Sequence, residues 1–167
     1  MEIKFREGDL VVYGTNGICH IEAVKYMKFG KLEGMYYVLK PQASASSTHY
    51  VPVDREELTQ KMRPLLSKQE IDRIIQSAKN QEFVWPESKN QRNELFSDII
   101  SRADMKELVG LVHCIYLKKQ EKLSQGKHLS SSDDSVMKIA QKLIEEEFSL
   151  SLGCSPEQVS QYIRMTQ

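Results

Sequence analysis

The chain of 167 residues sets 23 lysines and arginines against 23 aspartates and glutamates, and it contains no run of about eighteen apolar residues. A membrane-spanning helix is therefore not expected, nor is the strongly basic surface with which a dedicated duplex-DNA binder neutralises phosphates. The charge is unevenly spread: residues 61–128 hold 13 basic and 9 acidic side chains, whereas residues 129–167 hold 3 and 6. Any DNA contact should be weak alone. The opening MEIKFREGD is charged at once and lacks an apolar stretch of signal-peptide length, so a cytosolic protein is expected.

Taken in order, the chain first shows two apolar runs meeting across a turn. Leu10 to Tyr13 is β-branched and aromatic, Ile18 to Glu22 resumes the pattern, and Gly14-Thr15-Asn16-Gly17 lies between them. Glycine and Asn-Gly tolerate the positive φ that a reversing strand needs, so a hairpin is predicted, entered through a bend at Gly8-Asp9. Strands are predicted over Asp9–Tyr13, Ile18–Met27, Met35–Leu39 and His49–Val53, with turns at Gly30-Lys31 and between Gln42 and Ser47. Such a set reads as a small twisted antiparallel sheet closing into a barrel over residues 1–54. Ala43 to Ser47 has the composition of a mobile loop tip. The next strand, Thr48 to Val51, is a candidate sheet edge, open to a partner strand or simply protected.

From Asp54 the periodicity becomes helical. Residues 55–66 form a connector in which Pro64 stops any helix running on, and residues 67–167 read as a compact all-helical domain. Ser67 and Glu70 make a capping box ahead of Ile71, Ile74, Ile75 and Ala78. After the break at Asn80 to Pro86, a helix over about Glu87 to Ala103 presents Leu95, Phe96, Ile99 and Ile100. Asp104 with Glu107 starts a long helix closed by Gly126, Ser131 or Ser132 starts a fourth ended by Gly153, and Ser155-Pro156 opens a short closing helix. The fold class is α+β.

The groups that catalysis needs are absent from the motifs. There is no Gly-rich phosphate loop, no HExxH and no GxSxG. Cys19, Cys114 and Cys154 are far apart and without CxxC spacing, and His20 and Cys19, adjacent on a strand, point to opposite faces. Neither an enzyme nor a metal or cofactor site is expected. Glu145-Glu146-Glu147 reads as the solvated face of the fourth helix.

The order of these features resembles one family. The Gly8-Asp9 turn, the Val11-Val12-Tyr13 run and the Gly-x-x-Gly turn resemble the start of the CarD/CdnL/TRCF proteins, bacterial regulators whose amino-terminal domain binds RNA polymerase. Tyr36 to Pro41, the Tyr50-Val51-Pro52-Val53 strand, Trp85 near the start of the helical half and the basic run Tyr116 to Lys127 continue the resemblance. It implies a Tudor-like or SH3-like barrel that docks on the polymerase β subunit by strand-to-strand contact, through Met27, Thr48, His49, Tyr50, Val51 and Pro52. Met27 and Tyr50 stand where family members often carry arginines, so the contact would lean on apolar packing. The resemblance also implies that Trp85 wedges into the minor groove at the upstream edge of the melted promoter, with Lys89, Arg92, Lys118, Lys119, Lys122 and Lys127 as phosphate contacts. Trp85 could equally anchor the connector to the core, and lysines near a helix end complement its dipole in any case. Two functions follow as expectations: a monomeric transcription regulator that stabilises the promoter open complex through weak, sequence-independent DNA contacts, or an adaptor on polymerase whose helical domain binds a protein.

Overall fold

The computed structural model describes residues 2–166. The chain divides into two compact units, residues 1–65 and residues 66–167.

The first unit is an antiparallel sheet of five strands, β1 (Leu10–Tyr13), β2 (Ile18–Phe29), β3 (Leu32–Pro41), β4 (His49–Pro52) and β5 (Met62–Pro64), with a short helix α1 (Glu56–Thr59) between the last two. The strands lie in the order β4-β3-β2-β1-β5. Gly14 to Asn16 makes one 3-10 turn between β1 and β2, and the positive φ needed to reverse the chain is taken by Gly14 and Gly17, at 50° and 70°. One face buries Val11, Cys19, Ile21, Tyr37, Leu39, Val51, Val53 and Met62. At about 1.5–3 kcal/mol for each large apolar side chain removed from water, this small core is the unit's principal source of stability.

The sheet does not close into the expected barrel, and the hydrogen-bond phase explains why. The Val53 amide donates to the Met35 carbonyl at 2.9 Å, so Val53, Val51 and His49 turn their backbone groups towards β3. Tyr50 and Pro52 then turn theirs away from the sheet. At the opposite edge the Gly14 amide donates to the Lys61 carbonyl at 3.1 Å, which by the same alternation turns Met62 and Pro64 outwards from β1. Each edge thus presents a proline, without an amide, where a closing ladder would need a donor. The strand β5 also lies within the stretch expected as connector.

The second unit holds α2 (Lys68–Lys79), α3 (Lys89–Arg102), α4 (Met105–Ser124), α5 (Ser131–Leu152) and α6 (Pro156–Thr166). Its helix ends follow their capping residues. Ser67 and Glu70 form the reciprocal box, Asp104 accepts from the Glu107 amide, and Gly153 ends α5 at φ 64°. The N-cap of α5 is Ser130, just before the serines expected. The core is one cluster from all five helices, including Ile71, Ile75, Phe96, Leu108, Leu111, Ile115, Ile144, Phe148 and Val159.

Two features depart from a simple stripe pattern. Glu147 is not solvated: it is 1% exposed, and its carboxylate accepts the Leu66 amide at 3.0 Å, holding the start of the unit against α5. Gly110 lies mid-helix in α4, where a Cβ would come within 2.7 Å of the Gln81 side-chain oxygen. Its missing side chain lets the connector before α3 approach α4.

Candidate docking edge and aromatic-cation cluster

The outward-facing groups of β4 are few and specific. Tyr50 offers an N–H and a C=O to a neighbouring strand, and Pro52 offers a C=O alone. The other edge strand is three residues long, so β4 is the longer template for strand addition.

Side chains follow the same alternation. Rows Ala23–Val38–Tyr50 and Lys25–Tyr36–Pro52 share one face of the sheet, with Met27 opposite Gly34 in the next row. Tyr50 is 45% exposed. The Phe29 ring, from the end of β2, reaches across to both tyrosines, 5.3 Å from the Tyr36 centroid and 5.2 Å from that of Tyr50. These spacings lie in the favourable range for aromatic pairs, so the exposed rings of Phe29 and Tyr50 pack beside the open edge over the buried Tyr36.

Of the six docking residues expected, the structure brings Met27, Tyr50 and Pro52 to this face and leaves Thr48 half-buried just ahead of β4. His49 and Val51 are corrected in placement. Val51 is 1% exposed in the core and the His49 ring packs 6.1 Å from Tyr13, so both turn side chain and backbone inward. Phe29 was not anticipated, because only the curl of the β2–β3 hairpin carries it to β4.

In the helical unit the expected DNA-contacting residues separate into three groups. Trp85, Arg92 and Lys118 converge. The Trp85 ring is half-buried and meets Phe96 edge-on at 5.7 Å, with the Arg92 guanidinium carbon 5.0 Å and the Lys118 ammonium 5.7 Å from its centroid. Arg92 is only 7% exposed: its Nε donates to Asp133 at 2.9 Å and its Nη1 to the Pro86 carbonyl at 2.9 Å. Its expected position on the surface is therefore corrected to an interior one. Asp133 also accepts from the Ser130 hydroxyl at 2.7 Å, which ties the connector to the cap of α5. Val84, by contrast, is 83% exposed.

The second group, Lys119 and Lys122 on α4, already has partners or cover, as does Lys118 itself. Lys118 pairs with Glu121 at 3.2 Å and Lys119 with Asp134 at 3.8 Å, while Lys122 is partly buried. Lys89 and Lys127, the third group, are exposed. Lys89 sits in the first turn of α3, where the helix dipole disfavours a cation. Among the described residues no three His, Cys, Asp or Glu side chains converge as metal ligands.

The open edge of β4 is thus flanked by two exposed aromatic side chains, Phe29 and Tyr50. Residues 5–66 match the family model of the CarD-like/TRCF RID domain, and the amino-terminal unit is a CarD-like, RNA polymerase-interacting domain. The match covers the sheet, including β5, and stops where the helical unit begins. No curated protein matches the chain.

Proposed function

We propose that this protein docks on the RNA polymerase β subunit by adding a strand to β4 and, once tethered there, stabilises the promoter open complex. The observation that carries the docking is the outward-facing backbone of Tyr50 beside the exposed rings of Phe29 and Tyr50. Main-chain bonds from the edge supply affinity, and the aromatic face selects a partner strand with apolar side chains. Tethering turns a second, weak contact into an intramolecular one, so a nearly neutral protein can still act on DNA. The contact would come from the exposed part of Trp85, Val84 beside it, and the exposed ammonium groups of Lys89 and Lys127. Such contacts, made only when the duplex has parted, shift the equilibrium by their differential affinity and require no catalysis. Binding to polymerase would place the protein in the cytoplasm, on the nucleoid; we take it to act there as a monomer.

The adaptor reading also has an observation in its favour. With Arg92 buried and Lys118 and Lys119 ion-paired, much of the expected phosphate-contacting charge is already neutralised, which suits a protein partner for the helical unit. Open-complex lifetime with purified polymerase separates the two. Under the first reading the wild-type chain lengthens it, Tyr50→Asp abolishes the effect, and Trp85→Phe, which keeps the packing on Phe96, reduces it severalfold. Retention of the full effect by Trp85→Phe together with Lys89→Gln and Lys127→Gln would leave the adaptor as the function.

A further inference from the structure

The helical unit contains a feature that the docking reading does not use. A half-open cavity of about 150 Å³ lies between α4, α5 and α6, floored by Val109, Val112, Met137, Ile144, Val159 and Ile163. A cavity of roughly this size with an aliphatic lining accommodates one benzene-sized group. The charged residues of its lining are Glu145 and Arg164.

Glu145 from α5 and Arg164 from α6 both line the cavity. Among the described residues neither belongs to an ion pair, with each other or with any other side chain. Glu145 is partly buried, and its carboxyl is pushed above the usual carboxylate range by that burial and by the nearby Glu157, with the Ser160 hydroxyl acting in the opposite direction. A cation at this position would favour the charged form of the carboxyl. On the α6 side, the Arg164 guanidinium offers the planar fork that matches a carboxylate. His113, Gln141 and Tyr116 complete the polar margin.

We propose that this cavity is a binding site for a free amino acid with an apolar side chain about the size of a phenyl ring. The side chain fills the aliphatic floor, the α-ammonium meets Glu145 and the α-carboxylate meets Arg164. With the Glu145 carboxylate, held by the Ser160 hydroxyl beside Glu157, and the Arg164 guanidinium both lining it, the cavity presents charge of both signs, which complements a zwitterion. The site is independent of polymerase docking and gives the helical unit a small-molecule input of its own.

The test uses the full chain and isothermal titration with four probes: L-phenylalanine, phenethylamine, 3-phenylpropionate and glycine. L-Phenylalanine is expected to bind saturably, and each of the other three about tenfold or more weakly, since each loses one charged hydrogen-bonding partner or the apolar contact. Glu145→Gln should bring L-phenylalanine down towards 3-phenylpropionate, and Arg164→Gln should bring it down towards phenethylamine. Both substitutions lie at the margin and leave the core intact, and a circular dichroism melt checks that they fold. Absence of saturable L-phenylalanine binding, equal affinity for the zwitterion and the two singly charged probes, or indifference to both substitutions would each overturn the proposal.

Discussion

Arg92 shows how much a single buried residue can organise. Its guanidinium neutralises Asp133, satisfies the Pro86 carbonyl and lies against the Trp85 ring, so one side chain holds the connector, the start of α3 and the cap of α5. Removing one member of a buried pair leaves the other charge uncompensated, at a cost of about 3–5 kcal/mol. Arg92→Met is expected to lose that much in urea unfolding, and the double change with Asp133→Leu should recover most of it. A loss below about 1 kcal/mol in the single variant would show the pair to be dispensable. Cys114 carries a pH dependence. Burial pushes its thiol from 9.0 up to about 11, against a smaller opposing pull from Lys118. A group whose pKa is higher in the folded state favours folding undiminished below the unfolded value, and that contribution declines as pH rises from 9.0 to about 11. Urea midpoints measured across this window should fall more steeply for the wild type than for Cys114→Ala. Parallel curves would refute the assignment.

At the level of elements, the geometry of ends and edges makes the sharpest claims. The C-cap of α3 is Ala103, which alone among the described non-glycine residues takes a positive φ, of 51°. Alanine is disfavoured there by about 1 kcal/mol, so Ala103→Gly should stabilise the helical unit by roughly that amount in thermal or urea unfolding. The edge strand β4 makes a paired prediction. The Tyr50 amide faces away from the sheet, so Tyr50→Pro should leave the fold intact while removing the single donor available to an added strand, and polymerase binding should fall at least tenfold. Val51→Pro removes an amide directed at β3 and should unfold the sheet instead. Pull-down against polymerase combined with circular dichroism distinguishes these outcomes. Equal folding and equal binding by both variants would refute the phase assigned to β4.

For the whole molecule, neutrality and division into two units govern behaviour. The docking module includes β5, so a fragment ending at residue 57 lacks a strand that pairs with β1, whereas residues 1–65 contain the full sheet. The longer fragment should bind polymerase with the affinity of the intact protein, and the shorter one should bind poorly. With Lys118 and Lys119 already paired, salt should weaken the protein's contribution to the polymerase–promoter complex only gently. Each of Lys89→Gln and Lys127→Gln should lower the slope of log affinity against log salt by about one or less. A steep slope retained in the double variant would point to phosphate contacts made by other residues.

Much of this architecture is legible locally. Helix starts at Ser67, Asp104 and Ser155, stops at Gly126 and Gly153, and the glycine-bounded turn before β2 follow from side chains that act within a few residues of themselves. Such interactions, a hydroxyl three residues from an amide or a glycine that accepts positive φ, have the same free energy wherever the segment lies, so the sequence alone determines them. The burial of Arg92 depends on Asp133, which lies 41 residues further along the chain. Likewise, Glu147 is drawn inside by the Leu66 amide, and Phe29 joins Tyr50 through a curled hairpin. Met62 to Pro64 is too short to show alternation and becomes a strand only by pairing with β1, and two prolines at outward positions keep the sheet open. Each of these is a long-range pairing whose energy exists only once the chain has packed, and so only the tertiary structure decided them.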